Sequence, residues 1–177
     1  MSSRPLPPSL PDPVEIRLGG LETPQVAALL TEHLADMRRY SPPDSVHALD
    51  LDRLRTPDLT FWSLWDGAEV LGCAALRELD PSHGELKSMR TAAAHRRRGV
   101  AAALLDHVVA EARRRGYARL SLETGSPAEF APARTMYAAY GFTTCGPFGP
   151  YLDDEFSVFM TLDLTAQQRE PLSTLEP

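Results

Sequence analysis

The sequence predicts a single α/β (α+β) domain in which a mixed sheet is flanked by helices. Three observations carry that expectation. A three-strand antiparallel meander can be traced over residues 60–91, with turn signals at Asp66-Gly67 and at Pro81-Ser82-His83-Gly84. A long amphipathic helix over residues 99–115 is followed by an apolar-rich strand at 119–124, and a strand, a helix of that length and a strand make a parallel crossover. The whole chain of 177 residues is long enough for one sizeable core, built from about six to seven strands and about four helices.

Taken in order, residues 1–13 include Pro5, Pro7, Pro8, Pro11 and Pro13 and lack an apolar leader segment, so they read as a disordered or polyproline-like arm. The folded domain is expected over residues 14–164. Val14 to Leu18 alternate and stop at Gly19-Gly20, which suggests a first strand. Thr23-Pro24 pairs an N-cap with a proline at the first helical position. Val26, Leu29, Leu30, His33, Leu34 and Met37 follow at helical spacing, up to Tyr40 and the stop at Ser41-Pro42-Pro43. A second, short helix is expected over 49–55.

The meander strands are placed at 60–65, 69–79 and 85–91. In the long helix, Val100, Leu104, Val108 and Ala112 form one stripe, widened by Leu105 and Val109. Arg113, Arg114 and Arg115 complement its C-terminal dipole, and Gly116 suits the position after it. Ser126-Pro127-Ala128-Glu129 has the form of a capping box. Pro132 moves the start of the last helix to its own position, and Gly141 ends that helix after Tyr140. Strands at 142–145 and 155–164 enclose a loop at 146–154, and a polar tail occupies 165–177.

Composition excludes several function classes. Apolar content of 43% and charged content of 24% are those of a soluble globular protein, and no apolar run is long enough to span a membrane. A cytoplasmic protein with no membrane partner is expected. A net charge of −6 argues against nucleic acid as a partner, and three consecutive arginines without interleaved aromatics give little affinity for a polyanion. Cys73 and Cys145 stand far apart without metal-ligand spacing, so they read as reduced, buried thiols, and no metal is expected.

The stretch most informative about chemistry is Arg96-Arg97-Arg98-Gly99-Val100-Ala101. A helix N-terminus carries partial positive charge and unpaired amides, so cations there cost a few tenths of a kcal/mol, up to about 1. A bound anion reverses the sign. Gly99 lets backbone amides close around a phosphate, and Ala101, Ala102 and Ala103 keep the first turn free of bulk. The pattern points to a phosphorylated cofactor.

Two motifs extend this reading. Arg96-x-x-Gly99-x-Ala101 is similar to the Arg/Gln-x-x-Gly-x-Gly/Ala loop of the GNAT superfamily of acyl-CoA-dependent N-acyltransferases. Ala133-Arg134-Thr135-Met136-Tyr137-Ala138-Ala139-Tyr140-Gly141-Phe142 resembles that family's Ala-x-x-x-Tyr-x-x-x-Gly-Phe ending. The resemblance spans about residues 14–164. Leu122-Glu123-Thr124-Gly125, Cys145-Gly146-Pro147-Phe148 and Ser157-Val158-Phe159-Met160 also look like a subgroup of small bacterial acetyltransferases of unassigned substrate.

The resemblance implies acetyl-CoA as co-substrate. The backbone of Met89, Arg90 and Thr91 pairs with the pantetheine arm, and an amide near Met89 faces the thioester oxygen. The amides of Arg97, Arg98, Gly99, Val100, Ala101 and Ala102 hold the pyrophosphate, while the arginine side chains from Arg96 to Arg98 steer the cofactor and reach its outer phosphate. Tyr137 takes the family's role of proton donor to the leaving thiolate, and Tyr140 reads as structural. Thr124-Gly125-Ser126 stands where the family has an Asn, which removes a side-chain contact to pantetheine.

No base is obvious. Glu123 is one candidate, acting through a water, and Glu85 on a neighbouring strand is another, also placed at the acceptor; a solvated or ion-paired carboxylate is the alternative for both. Arg90 points away from the face of Met89 and Thr91 and is expected either to grip an acceptor carboxylate or to pair with Glu85 or Glu123. His33 and His83 border the cleft in this fold but read as surface or satisfied core residues. The expected activity is direct transfer of acetyl to a small amine in a ternary complex. The loops at 41–44 and 146–154 are expected to cover the groove that a peptide would need. A non-catalytic acyl-CoA-binding regulator and a protein-lysine acetyltransferase are the alternatives, and a homodimer is left open.

Overall fold

The computed structural model describes residues 10, 13–47 and 50–165. Its local structure follows from chain-local chemistry at most boundaries. Helix α1 (Pro24–Tyr40) starts where Thr23 turns extended and its Oγ1 accepts the amide of Val26, with Pro24 at the first position. Strand β1 (Val14–Leu18) precedes it. The meander comprises β2 (Leu59–Asp66), β3 (Glu69–Asp80) and β4 (His83–Thr91). Helix α2 (Val100–Arg114) crosses over to β5 (Arg119–Gly125), and α3 (Ala131–Ala139), β6 (Thr143–Cys145) and β7 (Ser157–Asp163) complete the fold.

The seven strands form one sheet in the order β1-β2-β3-β4-β5-β7-β6. All neighbours are antiparallel except β4 and β5, the pair joined by the α2 crossover. Alternation sorts the side chains to two faces. Leu76, Leu86, Leu120 and Leu122 pack with the apolar stripe of α2 and with Tyr137 of α3. Phe61, Trp65, Cys73 and Ala75 pack with Val26, Leu29 and Leu30 of α1. Gly72 brings α2 close to the sheet: a Cβ there would stand 2.6 Å from the carbonyl oxygen of Arg90 and 2.7 Å from Val100 Cγ1.

Three expectations are corrected. Among the described residues three α-helices flank the sheet rather than four, the other helical turns being short 3-10 segments. The helix expected over 49–55 is only the 3-10 turn Arg53–Arg55, tied by the Asp50 side chain accepting the Arg53 amide; residue 49 lies outside the described residues. Ser126 does not cap a helix. Its Oγ donates to the carbonyl of Glu155, and a 3-10 turn (Ala128–Phe130) leads into α3. The segment just before β7 lies within reach of Ser126, and its carbonyls at Glu155 and Phe156 take the Ser126 hydroxyl and amide. Residues 1–9 and 166–177, expected as arm and tail, also lie outside the described residues.

The tight contact at Gly72 generates a prediction. Gly72→Ala is expected to destabilise the protein by about 1–3 kcal/mol, since its methyl meets backbone that cannot swing aside. Urea unfolding followed by circular dichroism measures it, and an unchanged midpoint would contradict the packing described.

Candidate active site

The site begins with a fault in the sheet. Cys73 pairs with Arg90 and Ala75 with Lys87, so Ser88 and Met89 both lie opposite Ala74. This is a β-bulge, and Ser88 takes a left-handed φ of 51° to make it. Pairing of β4 with β5 runs from His83–Arg119 to Leu86–Leu122 and then stops. Beyond that point Lys87 to Thr91 on β4 and Glu123 to Gly125 on β5 separate. The β4 backbone in this gap has no strand on its β5 side and can pair with an extended ligand.

The second part is the N-terminus of α2. Gly99 adopts φ 84° at the N-cap, no side chain caps the helix and no acid stands in its first turn. The first helical bond there runs from Ala103 N to Gly99 O at 3.0 Å, which leaves the amides of Val100, Ala101 and Ala102 without a helical partner and available to an anion. Tyr140 donates to the carbonyl of Ala102 at 3.0 Å, the structural role expected of it, and ties α3 to this turn.

Both parts open on one cleft of about 1180 Å³. Met89, Arg90, Thr91, Arg96, Arg97, Gly99, Val100, Ala101, Ala102, Glu85, Glu123 and Tyr137 all line it. Arg98, grouped with them from the sequence, does not; its guanidinium turns to His95. Tyr137 is 6% exposed, and burial, with Glu123's charge adding, holds its phenol protonated well above the usual range. Burial also pushes the Glu123 carboxyl up to about 7, reinforced by Glu85 and opposed by Lys87.

Charge pairing at the cleft differs from the expected pairs. Arg90 meets neither Glu85 nor Glu123: its Nη2 donates to Glu32 Oε1 at 2.8 Å and Asp36 Oδ2 at 2.6 Å, both on α1. An acceptor carboxylate at Arg90 has to compete with these two. Glu85, 1% exposed, accepts from Lys87 Nζ at 3.0 Å and from the Tyr151 hydroxyl at 2.5 Å. Lys87 also donates to Tyr151 at 2.6 Å and is the chain's only lysine. Neither Lys87 nor Tyr151 was found by sequence reasoning. The single lysine beside seventeen arginines was the signal available for Lys87.

Other expected residues fall as follows. His33 lines the cleft, held down to about 4 by burial and by Arg90's charge, and its Nδ1 has no partner among the described residues. His83 lies off the cleft against Ser121 and Phe148. Cys73 is buried, its thiol pushed up to about 12 by burial, while Cys145 is only half-buried on the edge strand. No metal-ligand cluster occurs among the described residues. The loops after α1 and before β7 meet: His47 packs on Tyr151 edge-to-face at 5.0 Å and lies 4.0 Å from Asp154.

A split parallel strand pair thus lies beside an uncapped, arginine-led helix. The chain belongs to the acetyltransferase (GNAT) family, whose model matches residues 27–142. It is 54% identical over 151 residues to the uncharacterized N-acetyltransferase YsnE of Bacillus subtilis, covering 85% of this chain and 100% of that one. It is 46% identical over 156 residues to the uncharacterized N-acetyltransferase YedL of Escherichia coli, covering 88% and 98%. Among solved structures, a GNAT family acetyltransferase from Elizabethkingia anophelis with acetyl-CoA bound superposes with a TM-score of 0.62 at 19% identity, covering 86% of this chain and 99% of that one.

The Glu123 environment can be tested without assuming a reaction. Its carboxyl titrates at about 7 when folded against an ordinary 4.5, so ionisation penalises the folded state increasingly from about pH 4.5 and fully above about pH 7. Glu123→Gln removes that penalty. It is expected to stabilise the protein by about 1–3 kcal/mol at pH 8, with the gain shrinking toward pH 5. Thermal melts at both pH values decide; equal differences would mean that Glu123 ionises normally.

Proposed function

We propose that this chain is an acetyl-CoA-dependent N-acetyltransferase that acts on a small-molecule amine by direct transfer in a ternary complex. The observation that carries the reading is the convergence, in one cleft, of the bare α2 N-terminus, the unpaired β4 edge past Ser88, Tyr137 and Glu123. The site fits an acyl-CoA: amides without a cap suit a pyrophosphate, and an extended strand edge suits a pantetheine arm.

Each chemical demand then has a residue. An amine of pKa about 10.4 is mostly protonated at pH 7 and must lose a proton before it attacks. Glu123, with its carboxyl near 7, accepts that proton through a water. A backbone amide near Met89 stabilises the charge developing on the thioester oxygen. The new C–N bond forms as the C–S bond breaks, and Tyr137 supplies the proton that the departing thiolate takes. Glu85 stays ion-paired to Lys87 and shapes the acceptor end. Arg90, pinned by Glu32 and Asp36, forms its α1 wall and offers an acceptor carboxylate only a shared cation. Support for a small acceptor comes from the contact of the two loops at His47, Tyr151 and Asp154, which narrows that end.

A thiol-release assay with acetyl-CoA and an amine panel tests the reading. At least one small amine is expected to support turnover, and failure of every amine, with acetyl-CoA still bound, would leave an acyl-CoA-binding regulator instead. Tyr137→Phe is expected to lower kcat by about a hundredfold while leaving the KM for acetyl-CoA nearly unchanged. Loss of cofactor binding in that variant would remove Tyr137 from the role of acid. Because the base works ionised, kcat/KM should fall more steeply as pH drops through about 7, and Glu123→Gln should remove that break, leaving only the steady fall set by the amine's own ionisation.

A further inference from the structure

The turn before α2 holds a side-chain relay that acyl transfer leaves unused. His95 closes the 3-10 turn Ala93–His95 and is 8% exposed. Its Nε2 lies 2.8 Å from Glu69 Oε1, at the start of β3, and its Nδ1 lies 2.9 Å from Arg98 Nη1. The chemistry of the partners settles the proton positions. A guanidinium has donors only, so Nδ1 must accept; an ionised carboxylate accepts only, so Nε2 carries the proton and donates to Glu69. His95 therefore accepts from Arg98 at one ring nitrogen and donates to Glu69 from the other.

Arg98 is thus held by a ring nitrogen and not by a carboxylate. Arg90 meets two carboxylates, and Arg96 lies 3.9 Å from Asp36. A carboxylate at position 95 would hold Arg98 but cancel its charge at close range. An imidazole orients the guanidinium and leaves its charge for another anion. Glu69, 63% exposed, polarises the ring from the far side, where water screens its own charge. Arg98 stands outside the cleft that Arg96, Arg97 and the α2 amides line. Coenzyme A carries two separate phosphate groups, a pyrophosphate and a ribose 3′-phosphate. The α2 amides account for the first.

We propose that His95 is a positioning residue that holds Arg98, its charge intact, for the ribose 3′-phosphate of acyl-coenzyme A. The assignment rests on the α2 turn being the acyl-CoA site. Titration calorimetry with coenzyme A and with dephospho-coenzyme A, which lacks only the 3′-phosphate, tests it on the full chain. His95→Leu and Arg98→Gln are each expected to bind coenzyme A about five- to tenfold more weakly, and the double variant no more weakly than either. His95→Gln, whose amide can accept from Arg98 and donate to Glu69, should stay within about twofold of wild type. Dephospho-coenzyme A should bind all of them alike. Wild-type affinity for coenzyme A in Arg98→Gln, an exposed site that keeps the test valid should His95→Leu fail to fold, would overturn the proposal. So would an equal loss for dephospho-coenzyme A, which would assign Arg98 to the pyrophosphate. Failure of the wild type to bind either ligand would instead overturn the acyl-CoA reading itself.

Discussion

One extra residue in β4 governs the architecture of the cleft. Without the bulge at Ser88, β4 and β5 could keep pairing to their ends and the sheet would have no opening at its centre. With it, pairing stops at Leu86 and Leu122, and the strand ends diverge. A left-handed serine costs roughly 1–2 kcal/mol, so it persists only where its surroundings hold it. Here the pairs Cys73–Arg90 and Gly72–Thr91 fix one side of the fault, Ala75–Lys87 and Leu76–Leu86 the other, and the Cys73 thiol donates to the Ser88 carbonyl. Strain and unpaired backbone at one point open an edge near the middle of the sheet.

The charges around this opening are sorted by what holds them. At the α2 end, arginines surround a helix terminus with no cap and no acid in its first turn, a place that favours an anion. Along β4, cations are already matched: Arg90 by Glu32 and Asp36, Lys87 by Glu85. The Lys87–Glu85 pair is nearly inaccessible to water, so removing one partner would strand the other at a cost of about 3–5 kcal/mol. Tyr151 joins that pair and thereby fastens the loop before β7 over the sheet. Glu123 has no cation of its own at bonding distance among the described residues. Burial accordingly pushes its carboxyl up toward neutrality.

Much of this was written in local patterns. Thr23-Pro24, Gly99 and Gly141 set helix boundaries through contacts within a few residues, and periodicity set the faces of α1 and α2. The two motifs, each confined to about ten residues, marked the turn before α2 and Tyr137, both of which line the cleft. The failures were equally local in form. Ser126-x-x-Glu129 has the pattern of a capping box, yet Ser126 donates to the carbonyl of Glu155, twenty-nine positions away, and a 3-10 turn follows it.

The amino-acid sequence by itself determined the order of elements, the parallel crossover and the arginine-led turn before α2, since all three depend on neighbours along the chain. Folding in three dimensions decided the rest of the site. Arg90 met its carboxylates fifty-four and fifty-eight positions away, and Glu85 its tyrosine sixty-six away. The bulge at Ser88 is visible only once β3 lies beside β4, because a register exists only between two strands.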